Sequence, residues 1–248
     1  MRKLRANLAY DGSDFHGWQS QPKLRTVQDV IQETIDRIIN ESPIITAASR
    51  TDAGVHAHYQ VIHLTIENPI SLTDLQRAMN ALLPEDVAVL AVNEVDESFH
   101  ARYSVKSKMY LYNIKNASIP DIFFRKYQWH IPYHLNLKDM QDGGNNLVGE
   151  HDFTSFRASS CEAKNPIREI FQLSISSHDT VIQIAVSAKS FLHHMVRNIV
   201  GTLVEIGRGK LESDDAGKIL KAKDRNLAGP TAPPHGLHLL EISYDEDY

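Results

Sequence analysis

A short polar segment between two predicted strands contains the strongest candidate for chemistry. Asp52 lies there, with Arg50 two residues before it and Gly54 two residues after it. An ionised carboxylate can act as a nucleophile or a base, and arginine is a permanent cation suited to phosphate. Because threonine, aspartate and glycine are also common turn residues, the composition of this segment alone favours a surface turn over an active site.

Two further clusters combine cationic or aromatic groups with apolar neighbours. Arg197 follows Phe191 in a segment whose apolar spacing predicts a helix. An arginine among apolar residues is rarely buried without a partner, so Arg197 is either paired or turned towards solvent. Tyr110 and Tyr112 project to the same face of one predicted strand. They form either ordinary sheet packing or a surface for a stacked base, and the pattern leaves both alternatives open.

The histidines suggest a metal site, but their spacing does not favour one. A catalytic zinc site usually has three protein ligands. His193 and His194 are adjacent, and adjacent side chains on a helix point about 100° apart; His56 and His58 lie two residues apart elsewhere. The sequence also has no phosphate-binding loop and no dinucleotide fingerprint. We therefore expect neither a metal nor a cofactor.

Composition indicates an ordinary globular protein. The 248 residues are 42% hydrophobic and 23% charged, which is enough for a sizeable core. No apolar run approaches the roughly 20 residues of a transmembrane helix, and no apolar segment follows the basic N-terminus as in a secretory signal. Cys161 is the single cysteine, so no internal disulfide can form. A cytoplasmic location is expected.

The net charge of -5 is a mild argument against a nucleic-acid partner, since domains that bind nucleic acid often carry a basic excess. Screening nevertheless confines surface fields to about 8 to 10 Å, so a local basic cleft is compatible with a negative total. Basic residues do recur around the candidate clusters. They are Arg50, Arg102, Lys106, Lys108, Arg157, Arg168, Lys189, Arg197, Arg208 and Lys210.

Hydrophobic periodicity in the first half predicts the order strand, helix, strand, strand, helix, strand. Thr26 is the predicted cap of the first helix, and Pro84 ends the second. The predicted elements are strands over residues 4–10, 44–48, 62–66 and 87–95, with helices starting after Thr26 and at about Thr73. This order is that of the split βαβ, or ferredoxin-like, unit.

The second half repeats an α+β pattern. Strands are predicted over 109–114, 170–176, 181–188 and 237–244, and helices over 191–206 and 214–222. The helical pattern over 137–147 is interrupted by Gly143-Gly144, which cost about 2 kcal/mol relative to alanines, so a short or broken helix is expected. We predict an α+β fold of two ferredoxin-like halves, residues 1–106 and 107–248. They share a continuous, mainly antiparallel sheet with helices on one face and an active-site cleft between the halves.

Taken together, these segments resemble the tRNA pseudouridine synthase A (TruA) family. One such motif is weak support, but many motifs in the family's order over nearly the whole chain are strong support. The motifs are Tyr10-Asp11-Gly12, Gly17-Trp18-Gln19, Thr26-Val27-Gln28, Arg50 to His56, Asn80 to Pro84, Phe99 to Arg102, Tyr110-x-Tyr112, His151 to Arg157, His194 to Asn198 and Gly236-Leu237. Ser49, Lys108 and the Gly143-Gly144 pair depart from the family's usual residues.

The resemblance implies an isomerase that converts uridine to pseudouridine in the anticodon stem-loop of tRNA, at positions 38 to 40 in tRNA numbering. It implies that Asp52 is the catalytic aspartate and that Arg197 is the cation paired with it. It further implies that Arg50 contacts the phosphate of the flipped nucleotide and that Tyr110 lies against the target base. A homodimer that grips one tRNA across both subunits is also implied. Two alternatives stay open: a non-catalytic RNA-binding protein and a metal-dependent hydrolase.

Overall fold

The computed structural model describes residues 1–245, which divide into two compact units. Unit 1 comprises residues 1–106 together with the residues from 239 onward, and unit 2 comprises residues 107–238. Both units combine helices with strands that pair mainly antiparallel, so the predicted α+β class is confirmed. Among the described residues, no helix is both long and apolar enough to cross a membrane.

Unit 1 has the split βαβ arrangement that the sequence predicts. Its elements are β1 (Arg2–Tyr10), α1 (Val27–Ile39), β2 (Thr46–Ala47), β3 (His56–Ile66), α2 (Leu72–Leu82) and β4 (Val87–Glu94). Strand β1 pairs antiparallel with β3 on one side and with β4 on the other. Strand β2 pairs antiparallel with β3, so β1 and β2 run parallel with β3 between them. Strand β2 is shorter than the strand predicted over 44–48, since only Thr46 and Ala47 pair with β3.

Side-chain caps set the starts of both helices of unit 1. The Thr26 hydroxyl accepts a hydrogen bond from the Asp29 N–H at the start of α1, as predicted. Ser71 makes the equivalent bond to the Asp74 N–H, so α2 begins at Leu72. The helix ends with the Leu83 N–H on the Met79 carbonyl, immediately before Pro84.

The two faces of β1 differ in character, as its alternating sequence predicts. Leu4 and Leu8 are fully buried on one face. Lys3 and Arg5 lie on the other face and are only half-buried. Because residues paired across neighbouring strands point the same way, His63 of β3, which pairs with Arg5, lies on this polar face as well.

Unit 2 is built on the antiparallel strand order β5-β9-β8-β7. Its elements are β5 (Ser107–Asn116), β6 (Trp129–Ile131), α3 (Leu137–Asn145), β7 (Gly149–Asp152), β8 (Ile167–His178), β9 (Val181–Ala188), α4 (Met195–Gly207) and α5 (Asp215–Ala222). Strand β6 lies parallel to β5, and β8 and β9 form the predicted hairpin. A last strand, β10 (Leu237–Ser243), starts in unit 2 and continues into unit 1, where it lies beside β3.

Helix α3 is short, as expected, with nine residues, but it runs without a break through Gly143 and Gly144. The reason is close packing. A Cβ atom on Gly143 would lie 2.8 Å from Ile206 Cδ1, and one on Gly144 would lie 2.7 Å from Leu173 Cδ2. The two glycines therefore let α3 approach α4 and β8, and the packing gained offsets their poor helix propensity.

Helix α4 starts at Met195, four residues later than predicted. His194 has φ +61°, in the left-handed region, and cannot continue a right-handed helix towards Phe191. His193 and His194 consequently precede the helix, and their ring centres lie 4.1 Å apart. The helical geometry assumed for this histidine pair is therefore wrong.

Candidate active site

Asp52 is half-buried in the loop that joins β2 to β3 in unit 1. The Val55 N–H donates to the Asp52 carbonyl at 3.2 Å, which closes a tight turn. Gly54 lies inside this turn with φ +77°, a conformation that glycine adopts without steric cost. The glycine two residues after the candidate carboxylate is therefore required by the backbone.

A second segment of unit 1, residues 12–18, holds this loop from outside. The Trp18 N–H donates to the Thr51 carbonyl at 3.0 Å, and the Gly54 N–H donates to the Phe15 carbonyl at 3.2 Å. Gly17 has φ +87°, and a Cβ there would lie 2.8 Å from the Thr51 oxygen. The glycines of the early motifs are thus needed for close approach to the Asp52 loop.

Buried side chains fix the residues immediately before Asp52. The Gln60 amide, which is fully buried, donates to the Ser49 carbonyl at 2.8 Å and accepts from the Ser49 N–H at 3.2 Å. The Tyr10 hydroxyl lies 2.8 Å from Thr51 Oγ1, and Gln60 donates to that hydroxyl at 3.4 Å. Burial raises the pKa of Tyr10 to about 12, so the phenol stays neutral and acts as a structural hydrogen-bonding group.

Replacing Gln60 with leucine is expected to lower the free energy of unfolding by about 3 kcal/mol. Leucine has a similar volume but cannot make the buried hydrogen bonds to Ser49 and Tyr10. Each buried partner left without its bond costs about 1 to 3 kcal/mol. Denaturant unfolding measures the change. Gln32→Leu is the matched control, since Gln32 makes one bond to Asp36 on half-buried α1; equal losses in both variants would contradict the bracing role of Gln60.

His56 anchors the start of β3 to the motif at the end of β1. Its ring is buried, and Nδ1 lies 3.0 Å from the Gly12 nitrogen and 3.1 Å from Asp11 Oδ1. A Cβ on Gly12 would lie only 2.0 Å from the Val55 oxygen. The imidazole therefore has a structural place beside the Asp52 loop.

Arg50 is exposed in the same loop. In the part of the chain that the structure describes, residues 1–245, no hydrogen bond or ion pair engages its guanidinium. Its donors are consequently available to a ligand. This arrangement fits the predicted role of Arg50 as a phosphate contact, which stays a prediction.

In unit 2, Tyr110 and Tyr112 lie on the same buried face of β5. The Tyr110 ring meets Phe191 edge to face, with ring centres 5.2 Å apart. Tyr112 is fully buried and donates to the Pro233 carbonyl at 2.8 Å. Burial raises the pKa of Tyr112, while the positive charge of Arg197 acts in the opposite direction. Tyr112 is thus a packing residue, and Tyr110 lies next to it on the strand.

Arg197 occupies the first turn of α4 and is half-buried. Its Nε donates to the Ala232 carbonyl at 2.8 Å, and its own carbonyl accepts from the Ala232 N–H at 3.1 Å. The sequence left two alternatives for Arg197, a paired side chain or one turned towards solvent. The bond to the Ala232 carbonyl shows a side chain with a backbone partner. The guanidinium is oriented by the backbone around residue 232.

A buried polar network holds that backbone against α4. Asn198 donates to the Phe156 carbonyl at 2.8 Å, and its Oδ1 accepts from Thr231 and from Arg225 at 2.7 and 3.1 Å. A Cβ on Gly201 would lie 1.6 Å from the Pro230 oxygen. Sequence reasoning singled out Asn198 but missed Arg225 and Gly201; a glycine inside an apolar helix was the available signal.

The four predicted site residues are therefore divided between the units. Arg50 and Asp52 share one loop of unit 1, and Tyr110 and Arg197 lie on β5 and α4 of unit 2. Hydrogen bonds fix the backbone of the Asp52 loop and orient the Arg197 side chain, and packing against Phe191 sets the Tyr110 ring. The pairing of Asp52 with Arg197 joins residues of different units and stays a prediction.

Comparison with known proteins places this arrangement in a family. A family model described as tRNA pseudouridine synthase matches residues 6–104 and 145–245. Proteins named tRNA pseudouridine synthase A are similar over nearly the full length. That of Thermoanaerobacter sp. (strain X514) is 43% identical over 98% of this chain and 100% of its own. That of Coxiella burnetii (strain Dugway 5J108-111) is 41% identical over 100% of this chain and 95% of its own.

The solved structures that resemble the chain are more distant. The crystal structure of the archaeal box H/ACA sRNP Nop10-Cbf5 complex matches with 12% identity and a TM-score of 0.35, over 82% of this chain and 43% of that chain. The match to the family model and the alignments with the full-length relatives both include the Asp52 loop. The chain belongs to the tRNA pseudouridine synthase family.

Proposed function

We propose that this protein converts uridine to pseudouridine in the anticodon stem-loop of tRNA, at positions 38 to 40 in tRNA numbering. Asp52 is the catalytic carboxylate in this proposal. The observation that carries it is the Asp52 loop itself: a half-buried carboxylate on a turn fixed by Gln60, Gly17 and Gly54, beside the exposed Arg50. Family membership supplies the reaction.

The reaction is an isomerisation and consumes no second reactant. The bond between N1 and C1′ breaks, a bond between C5 and C1′ forms, and the proton on C5 leaves while N1 gains one. Asp52 either attacks C1′ as a nucleophile or removes the C2′ proton, and both roles require the ionised carboxylate. A loop with little freedom favours either step, because it holds the carboxylate in one position relative to the sugar.

The target nucleotide must leave the RNA stack before Asp52 can reach its sugar. Flipping a base costs a few kcal/mol, and contacts to the extruded nucleotide offset that cost. Arg50, whose guanidinium is exposed, holds the phosphate of the flipped nucleotide. Tyr110 lies against the uracil, with its ring orientation set by Phe191. A phenol of ordinary acidity is a weak base at neutral pH, so packing is its main role and C5 deprotonation a secondary one.

Arg197 serves as the cation that keeps Asp52 ionised in the complex with tRNA. The bonds between Arg197 and Ala232 orient the guanidinium before substrate arrives, which reduces the reorganisation needed on binding. In this proposal the protein acts as a homodimer in the cytoplasm, and one tRNA contacts both subunits. Neither a metal nor a cofactor takes part.

Turnover on tRNA distinguishes this function from its alternatives. Tritium release from a transcript labelled at C5 of uridine is expected to accumulate catalytically, and mapping the product is expected to place pseudouridine at 38 to 40. Binding without tritium release would indicate the non-catalytic RNA-binding protein instead. Stoichiometric metal in the purified protein, with activity lost on chelation, would favour the metal-dependent hydrolase.

Binding of tRNA is expected to depend strongly on salt despite the net charge of -5. Each phosphate contact contributes a slope of about 0.7 to 0.9 in log Kd against log salt. With roughly three contacts, a fourfold rise in salt weakens binding about 20- to 40-fold. Arg50→Gln is expected to reduce the slope by one contact, whereas Arg77→Gln, on exposed α2, leaves it unchanged. A flat salt dependence would exclude the predicted local basic cleft.

A further inference from the structure

The segment that follows β4 in unit 1 forms a compact turn around His100. The Phe99 N–H donates to the Asp96 carbonyl at 3.0 Å, and the Ser104 N–H donates to the His100 carbonyl at 2.9 Å. His100 Nδ1 accepts from the N–H groups of Arg102 and Tyr103 at 3.1 and 3.2 Å. The backbone that carries Tyr103 is therefore fixed by the imidazole.

Aromatic rings from this turn and from β3 form a continuous ladder. His63 Nδ1 accepts from the Ala101 N–H at 3.1 Å, and its ring lies 4.7 Å from that of His100. The Tyr103 ring stacks on His100 with centres 4.3 Å apart and planes 30° apart. Tyr103 is 72% exposed although its ring is held in this way, so the ladder ends in a positioned aromatic surface open to solvent.

Both imidazoles of the ladder are neutral at physiological pH. Burial, then the charge that His100 carries only when protonated, and the charge of Lys3 lower the pKa of His63 to about 4. Burial and Lys3 also lower the pKa of His100. The two Nδ1 atoms accept backbone N–H bonds, which the unprotonated form allows. The ladder is therefore an uncharged stacking surface, and positive charge comes from Arg102, whose guanidinium carbon lies 5.8 Å from the Tyr103 ring centre.

The chemistry of this surface fits an unpaired nucleobase. An exposed aromatic ring offers a face to any base, and a neighbouring arginine attracts the nucleic-acid backbone and adds cation–π contact. A surface for an apolar protein partner would need apolar neighbours, whereas Tyr103 lies between Arg102 and Ser104 and near the exposed Lys106 in sequence.

The position of the ladder separates it from the reacting base. His63 lies seven residues beyond His56 on β3, and the Asp52 loop leads directly into His56. At about 3.3 Å per residue, the ladder is about 23 Å along the strand from that end. A base stacked on Tyr103 is consequently a different one from the uridine at Asp52.

We propose that Tyr103, supported by His100 and His63 and flanked by Arg102, is a stacking site for an unpaired base of the tRNA other than the target uridine. The proposal rests on the proposed function only in taking tRNA as the ligand. The site contributes affinity and orientation, and it takes no part in the chemical step.

Binding of a tRNA transcript, measured in an Asp52→Asn background so that no turnover occurs, tests the site. Tyr103→Ala and Tyr103→Leu are expected to raise the Kd about 5- to 150-fold, the range for loss of one stacked base. Tyr103→Phe keeps the ring and is expected to stay within about twofold. Because Tyr103 is largely exposed, the thermal midpoint of all three variants is expected to match the parent.

Tyr133→Ala is the matched control, since Tyr133 is another exposed tyrosine with an arginine, Arg208, over its ring at 4.5 Å. It is expected to leave the Kd unchanged. Tyr103→Trp supplies a direct signal: its fluorescence is expected to be quenched by tRNA beyond the background of Trp18 and Trp129, measured in the parent protein.

Two results would overturn the stacking site. One is a Kd for Tyr103→Ala equal to that of Tyr133→Ala, without quenching of the tryptophan probe. The other is a change in oligomeric state with unaltered tRNA affinity, which would make the surface a contact between copies of the chain. Neither result bears on turnover by the wild-type protein, so failure of this site and failure of the proposed function are distinguishable.

Discussion

Asp52→Asn is expected to reduce pseudouridine formation by at least about four orders of magnitude, to the limit of detection in the tritium-release assay. Removal of a nucleophile or base of this kind costs about 10⁴- to 10⁶-fold in other enzymes. The amide is nearly isosteric with the carboxylate, but it can neither attack C1′ nor accept a proton as a carboxylate does. The turn is expected to persist, because the Val55 N–H bonds the backbone carbonyl of residue 52, which the substitution leaves in place.

Binding and folding must therefore be measured alongside turnover for this variant. The Kd for tRNA and the thermal midpoint are both expected to stay close to wild type. Asp179→Asn is the matched control, since Asp179 is exposed at the tip of the β8–β9 hairpin and has φ +52°, which asparagine tolerates. Activity of Asp52→Asn near that of the control would contradict the central assignment.

The fold of unit 1 could be predicted well because its local signals agree with one another. Alternation in β1, the Thr26 cap and the stop at Pro84 all predicted elements that the structure contains. Each signal acts within a few residues of its own position, so it can be recognised without knowing which distant residues pack against that element. The order of strands and helices along the chain then leaves few topologies open.

The interactions that brace the Asp52 loop were beyond sequence reasoning. Gly12, Gly17 and Gln60 lie up to 40 residues from the loop, and nothing in their own neighbourhood shows that a backbone approaches them. The same holds for Gly143-Gly144, where tertiary packing overrides propensity. Periodicity also failed at His194, because one left-handed residue ends a helix without altering the apolar spacing.

The resemblance identified residues whereas the structure supplies the reasons for some of them. Early motifs such as Tyr10-Asp11-Gly12 and Gly17-Trp18 are far from Asp52 in sequence, yet they contact its loop directly. Conversely, Phe99 to Arg102 carries no assigned role, and the structure places this segment in the ladder that ends at Tyr103. Motif order is therefore informative about function even where the individual residue is structural.

Arg197→Met is expected to lower kcat by two to three orders of magnitude, about the effect of removing one preorganised charge-stabilising group. Methionine keeps much of the stem's volume, so α4 is expected to remain folded, while the bond to the Ala232 carbonyl and the positive charge are lost. A carboxylate deprived of a neighbouring cation is protonated more readily. Activity is therefore expected to recover in part as pH rises, with the acidic limb of the pH profile displaced upward.

Two companion variants separate charge from geometry in this test. Arg197→Lys restores a positive charge without the Nε bond to Ala232, and is expected to recover the pH profile but only part of kcat. Arg208→Met removes the arginine at the other end of α4, which pairs with Glu205 at 3.1 Å, and is expected to leave both unchanged. If Arg197→Met kept the wild-type kcat and pH profile, Arg197 would not be the cation that serves Asp52. Its bonds to residue 232 would then have only a structural role.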